Sequence, residues 1–390
     1  MTRRYAVFGA GMMGRVVAKV LIGSEPDAHV TLLDFSEELL GEASAAIGSD
    51  RLRVARVDAT DREATKRAMA GHDAAVGALP HALSLPLVEA AVASGTSLVD
   101  LVGEACEKRR ALDGEARSNG ATIVPGCGVA PGISNFCVGR GMELLDETDR
   151  AVIYVGGIPR EPRPPLYYET VYLLESVLGV YQRPATIRLG GEHVEVEALT
   201  GLEELEFPEP VGVLEAFYTD GLGSLPITVG DRVQGDFYEK TLRYPGHAAA
   251  IQLLRACGLF ERRPIDVGGA SVPPVVLLQK VLEERLKLGP AGDILVLKVL
   301  VQGQKDGERR VHTFELVDFF DPATGNTAMA RTTGFTAACA ARSIASGSIT
   351  TRGVLFPEEI FLGDRFAAIV SELEEKGVTI THREAGLSDA

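Results

Sequence analysis

Two short stretches of the chain combine residue types that do chemistry. Gly9-Ala10-Gly11-Met12-Met13-Gly14 is a GxGxxG run that follows the apolar segment Tyr5-Ala6-Val7-Phe8 and opens a helical pattern at Met12. In that setting the first glycine permits a tight turn, the second lets the backbone approach a pyrophosphate, and the third lets helix and strand pack closely. The helix start adds free N–H groups and a partial positive charge, so Gly9, Gly11, Met12, Met13 and Gly14 form the candidate cofactor cradle. Asp34 ends the next strand-like segment. Its carboxylate can accept both ribose hydroxyls and would repel a 2′-phosphate, and Phe35 follows it rather than a neutralising arginine, so the expected cofactor is NAD. Asp58-Ala59 and Leu79-Pro80 follow two later strands on the ligand side of such a sheet and complete the cofactor candidates; capping the helix after Thr60 is the rival use of Asp58.

The second stretch, Thr241-Leu242-Arg243-Tyr244-Pro245-Gly246-His247, sets a guanidinium, a phenol and an imidazole around one Pro-Gly turn. Arg243 offers a planar fork to a carboxylate, or a surface salt bridge to Asp236 or Glu239. His247 titrates in the useful range for moving a proton, or simply starts the apolar helix Ala248-Ala249-Ala250-Ile251. Asp100 ends a strand on the ligand side and can hold an ammonium or act as base, with helix capping as its rival. Asp220 in Tyr218-Thr219-Asp220-Gly221 can serve the same purpose, although Asp-Gly is first a turn signal. Tyr168, after Pro164-Pro165, is a candidate cleft residue, and Cys127 is assigned no chemistry.

The elements that must position these groups change character along the chain. Up to about residue 125, short apolar runs alternate with helical intervals, the pattern of a doubly wound parallel sheet. Residues 151–330 are rich in β-branched, alternating stretches with Pro-rich connectors such as 159–165, which suits an α+β domain on a largely antiparallel sheet. From Thr333 the chain turns helical, with small residues suited to close packing. The expected fold is therefore α/β: a Rossmann domain over 1–128, an inserted α+β substrate and oligomerisation domain over 129–332, and a segment over 333–390 returning to the first domain.

A net charge of −15 argues against nucleic acid and anionic membranes as partners. No apolar run is long enough to span a bilayer, and the start lacks a signal-peptide core, so a cytoplasmic location is expected. The five cysteines are scattered without a CxxC pair, so neither a disulfide framework nor a metal site is expected.

Gly126-Cys127-Gly128-Val129-Ala130-Pro131-Gly132-Ile133-Ser134-Asn135, the VGGIP run at 155–159, the PPLYY run at 164–168 and LRYPGH, in this order with GAGMMG, resemble the saccharopine dehydrogenase family, most closely its lysine 6-dehydrogenase branch. The resemblance implies a homodimer or homotetramer and an amino-acid substrate. For that branch it implies NAD-dependent oxidative deamination of the ε-amine of L-lysine to allysine, which cyclises to Δ1-piperideine-6-carboxylate, with release of ammonia. The stretch Tyr172-Leu173-Leu174-Glu175-Ser176 lacks the arginine that saccharopine reductases of the family usually place near there. On this reading Arg243, Asp220 and Tyr168 bind substrate, while Asp100 and His247 are catalytic. The alternatives are a dehydrogenase of a secondary amine, such as saccharopine or carboxynorspermidine, and a non-catalytic NAD-binding regulator.

Overall fold

Residues 2–386 are described by the computed structural model. The chain divides into two compact units, one built from Met1–Leu144, Gly223–Arg232 and Ala330–Ile380, the other from Leu145–Leu222, Val233–Met329 and Thr381–Ala390.

In the first unit, Tyr5, Ala6, Val7 and Phe8 are buried on both faces of their strand, as a continuous apolar run in a parallel sheet must be. Seven parallel strands lie in the order Gly353–Val354, Thr122–Pro125, Leu98–Asp100, Ala74–Gly77, Arg3–Phe8, Ala28–Asp34, Leu52–Arg56. Strand order reverses between Arg3–Phe8 and Ala74–Gly77, which makes their carboxyl ends the place for a ligand in a sheet of this topology. The fold is the expected Rossmann type, but the unit runs to Leu144, past the boundary expected at 128. The reason is packing: Phe136 meets Phe361 and Phe366 edge-on at 5.7 Å each, and a Cβ on Gly139 would lie 2.6 Å from the Glu358 carbonyl. The segment after Ala330 belongs to this unit as far as Ile380, and Gly353–Val354 supplies its seventh strand.

The second unit holds a nine-stranded sheet. Its main path is Glu203–Phe207, Gly212–Tyr218, Phe237–Arg243, Glu147–Pro159, Asp293–Lys305, Glu308–Phe319 and Thr381–Gly386, with the hairpin Ala185–Leu189 and Glu192–Val196 attached to Phe237–Arg243. Every pairing is antiparallel except that of Phe237–Arg243 with Glu147–Pro159. One face buries Val152, Tyr154, Leu214, Tyr238 and Leu242 among the hairpin side chains. On the other, Phe217 packs with Tyr168, Tyr181, Ala248 and Ile251 from the connecting helices and loops. The last strand, Thr381–Gly386, is an edge strand absent from the sequence reading, which took the whole C-terminal segment as one body; residues 387–390 lie outside the described ones. Among the described residues no helix is long and apolar enough to cross a membrane.

Candidate active site

Each unit carries one constellation. In the first, the loop after Arg3–Phe8 turns at Gly9 with φ +105°, and a Cβ there would sit 2.3 Å from the Ala78 carbonyl oxygen. A Cβ on Gly14 would fall 1.7 Å from the Gly9 carbonyl oxygen, so the helix Met12–Ser24 lies directly on the turn. Gly11 differs, because a Cβ added there meets no protein atom within 4 Å. That open side, beside a helix start that no side chain caps, fits a dinucleotide pyrophosphate, and the residues present suit a nicotinamide cofactor.

Asp34 grips this loop. Its two oxygens accept the Ala10 N–H at 2.7 Å and the Ser36 N–H at 2.8 Å, leaving lone pairs on both for ribose hydroxyls. Strand register also brings a residue that sequence reading passed over. Arg56 is the partner of Asp34 in the next strand, stacks its guanidinium on Phe35 at 4.7 Å, and donates from Nε to the Phe35 carbonyl at 3.1 Å. Met13 is buried while Met12 is exposed at the helix start. Leu79 packs partly into the core beside Gly9, and Pro80 sits at the start of the next helix. Asp58 is exposed and accepts the Thr60 N–H and hydroxyl at 2.9 and 2.6 Å, which hold its carboxyl below the usual range. Ala59 follows it in the same turn, and the helix cap there is Asp61, whose Oδ1 accepts the Ala64 N–H at 3.0 Å.

Asp100 is placed differently from the expected base. It is fully buried, accepts the Arg109 Nη1–H at 2.7 Å and the Ser84 hydroxyl, and a Cβ on Gly77 would come within 2.8 Å of it. Its charge is spent on Arg109, which the short helix Cys106–Arg110 folds back onto the strand end. Burial alone pushes the Cys127 thiol up to about 12, far from a nucleophile's range.

The second constellation lies along one face of Phe237–Arg243. Glu239, Thr241 and Arg243 alternate onto that face, joined by Phe217 and Glu215 of the adjacent strand, and all five are buried. Arg243 donates from Nε to the Tyr181 hydroxyl at 3.0 Å and from Nη1 to its neighbour's carbonyl at 2.8 Å; Nη2 donates to no described residue. The Tyr181 hydroxyl lies 2.9 Å from His247 Nε2, and His247 Nδ1 lies 2.7 Å from the Leu166 carbonyl. A carbonyl only accepts, so Nδ1 carries the proton and Nε2 accepts from Tyr181. Tyr168 stacks over the Arg243 guanidinium at 4.7 Å, and its buried hydroxyl donates to no described residue. Burial, reinforced by the Arg243 charge, lowers His247 to about 3, so it stays neutral. The expected proton shuttle is therefore a fixed acceptor that orients Tyr181 and, through it, Arg243.

Glu215 accepts the Gly246 and Ala248 N–H groups at 2.9 and 2.5 Å and anchors the helix that begins at His247. Glu239 is instead met by hydroxyls, Thr219 at 2.5 Å and Thr241 at 3.4 Å, and burial pushes its carboxyl up to about 8. Neither the Asp236 nor the Glu239 salt bridge forms with Arg243: Asp236 lies 3.7 Å from Arg150. Asp220 is exposed and ion-paired to Arg183 at 3.4 Å, outside the buried stripe.

Family models described as the saccharopine dehydrogenase NADP binding domain and the saccharopine dehydrogenase C-terminal domain match residues 5–124 and 128–378. The chain belongs to the saccharopine dehydrogenase family. It is thus an NAD(P)-dependent oxidoreductase acting on an amino acid. This family member is 22% identical over 457 residues to saccharopine dehydrogenase [NADP(+), L-glutamate-forming] of Schizosaccharomyces pombe, covering 93% of this chain and 97% of that protein. It is 23% identical over 386 residues to the mitochondrial alpha-aminoadipic semialdehyde synthase of Bos taurus, covering 80% of this chain but 41% of the bovine length. Its fold matches apo histidine-tagged saccharopine dehydrogenase (L-Glu forming) from Saccharomyces cerevisiae with a TM-score of 0.82 at 18% identity, over 98% of this chain and 100% of that one. Tyr181 and Glu239 lie in the second constellation and were not among the candidates read from the sequence. Tyr181 has no motif around it, and Glu239 entered the sequence reading only as a salt-bridge partner for Arg243.

Proposed function

We propose that the protein is an NAD-dependent L-lysine 6-dehydrogenase, which converts the ε-CH–NH2 of L-lysine to allysine and ammonia, the product cyclising to Δ1-piperideine-6-carboxylate. The observation that carries this reading is the charge count of the buried stripe. With Glu215 occupied by the helix start, the stripe offers one guanidinium, one orphaned tyrosine hydroxyl and one carboxyl. That set suits a substrate with a single carboxylate; saccharopine carries three, and burying the other two beside Glu239 without cations is costly.

In this reading Arg243 receives the α-carboxylate through its free Nη2 edge, and the Tyr168 hydroxyl donates its unused hydrogen bond to the same group. Tyr181 and His247 hold the fork in place, and the aromatic rings around it exclude water and strengthen the pair. Gly9, Gly11, Gly14 and Asp34 would hold the cofactor, which when bound accepts a hydride.

Arg56 supports a second reading, in which the cofactor is NADP, since a guanidinium beside Asp34 can pair with a 2′-phosphate. The test is direct. Purified protein with NAD and L-lysine should yield NADH and one ammonia per NADH, with a cyclic imine product. Consumption of reduced cofactor with allysine and L-glutamate, without free ammonia, would favour the secondary-amine reading. Changing Asp34→Ser should weaken NAD at least about tenfold, and Arg56→Ser should leave NAD unchanged; NADP turnover lost in Arg56→Ser would favour the second cofactor. Assembly into a homodimer or homotetramer and a cytoplasmic location belong to the same proposal. The exposed Val276, Leu277 and Val281 on one helix support the assembly, which light scattering would measure.

A further inference from the structure

Arg243 and Glu239 occupy the same face of one strand, four residues apart with Thr241 between them. Their Cα atoms are therefore about 13 Å apart at ordinary strand rise. An extended lysine, about 7 Å from carboxylate carbon to ε-nitrogen by standard bond geometry, is shorter than this separation, so its two ends can address two side chains that stand off the same face. From this spacing and from the isolation of its carboxyl we infer that Glu239 is the catalytic residue that removes a proton from the substrate's reacting ammonium, while Arg243 holds the opposite end.

The inference rests on the lysine reading and specifies its chemistry. A lysine ammonium has no lone pair with which to form a C=N bond, and its ordinary pKa of about 10.4 keeps it charged near neutrality. In the assigned step one N–H bond breaks and one O–H bond forms: the ammonium becomes the free amine, the Glu239 carboxylate becomes the acid, and nothing is oxidised. Glu239 is built for this and not for a structural ion pair. Among the described residues no lysine or arginine lies within hydrogen-bond distance of it, and its partners are the Thr219 and Thr241 hydroxyls, which also lie 2.7 Å from each other. Gly221 closes over it so tightly that a Cβ there would fall 2.4 Å from the carboxyl, which gives the Asp-Gly pair a second reason besides its turn. The charged groups that bear on it are Arg243 on its own strand, which favours the anion, and Asp220 on the covering turn, which opposes it; the parallel strand beside it presents Ile153. Burial dominates and pushes its carboxyl up to about 8, a useful range for a base working near neutrality.

The experiment is the pH profile of kcat/KM for L-lysine with NAD in the wild type, Glu239→Gln and Glu239→Asp, with melting curves to verify folding. The wild type should rise through about pH 8. Glu239→Gln should fall by roughly 100-fold and lose that rise, keeping only the titration of the amine itself near 10.4, whereas Glu239→Asp should retain the rise at reduced rate. A folded Glu239→Gln enzyme that still rises through the same pH overturns the assignment while leaving the lysine reading intact. If the wild type ignores lysine but oxidises saccharopine, the lysine reading fails. The same three profiles on saccharopine, whose secondary ammonium must also lose a proton, then decide the role of Glu239 by the same criterion. A wild type that oxidises neither amine overturns both.

Discussion

Removing the Tyr181 hydroxyl is the sharpest residue-scale probe of the buried relay, because it leaves Arg243 Nε and His247 Nε2 without partners at once. Tyr181→Phe should destabilise the protein by about 1–3 kcal/mol, read as a lower melting temperature, and raise KM for the amino acid more than it lowers kcat. Arg243→Lys should raise KM by roughly 100-fold, since one ammonium cannot hold the Tyr181 hydroxyl and the Leu242 carbonyl and still present a donor edge to the carboxylate. Two buried groups also set opposite pH limits on stability. The native His247 binds its proton only near 3 against an ordinary 6.5, so as pH falls through that window the unfolded chain gains the proton and stability is lost. Glu239 is the reverse case, held at about 8 against 4.5, so its contribution is complete below 4.5 and is lost as pH rises through about 8. Of these two only the second acts above pH 6.5, so the melting temperature should decline from pH 6.5 to 8 in the wild type and decline less steeply in Glu239→Gln, where the buried Glu358 carboxyl, also raised, remains.

At the scale of elements, the three glycines of the cofactor loop separate into two kinds. Gly14→Ala places a methyl group against the Gly9 carbonyl and should lower the melting temperature sharply, whereas Gly11→Ala should leave it unchanged and raise the Kd for the dinucleotide at least about tenfold, measured by calorimetry. The same loop shows what sequence makes legible. GAGMMG and Asp34 are consecutive local signals, strand, turn, helix and acid, so their arrangement follows from spacing alone. Arg56 was hidden because its position depends on the register of a neighbouring strand, and Asp100 was misread because a five-residue helix brings Arg109 back to it. Glu239 is harder still. Strand Phe237–Arg243 is buried on both faces, so the alternation that normally marks an inside and an outside carries no information there.

For the whole molecule, the chain passes between its two units repeatedly, and its final strand ends in the second sheet after a long passage in the first. The composition shift near residue 126 shows that two units exist. It does not show that Gly223–Arg232 or Thr381–Gly386 change sides, because those assignments depend on long-range pairing. Ending the chain after Ile380 strips the partner strand from Arg310–Glu315 and uncovers Phe314, which stacks on His382 at 4.4 Å. That truncated protein should melt at lower temperature and aggregate through the exposed edge, yet keep dinucleotide affinity, because the cofactor loop lies in the other unit.

The two tyrosines that flank Arg243 also make the protein its own spectroscopic probe. The chain has no tryptophan, so its near-ultraviolet absorbance and emission come from nine tyrosines. Tyr168 and Tyr181 are the ones held against the guanidinium, at 4.7 and 6.0 Å. A carboxylate arriving there alters the polarity around both phenols at once. Amino-acid binding can therefore be followed by ultraviolet difference spectroscopy without label or turnover, and the signal should shrink in Tyr168→Phe.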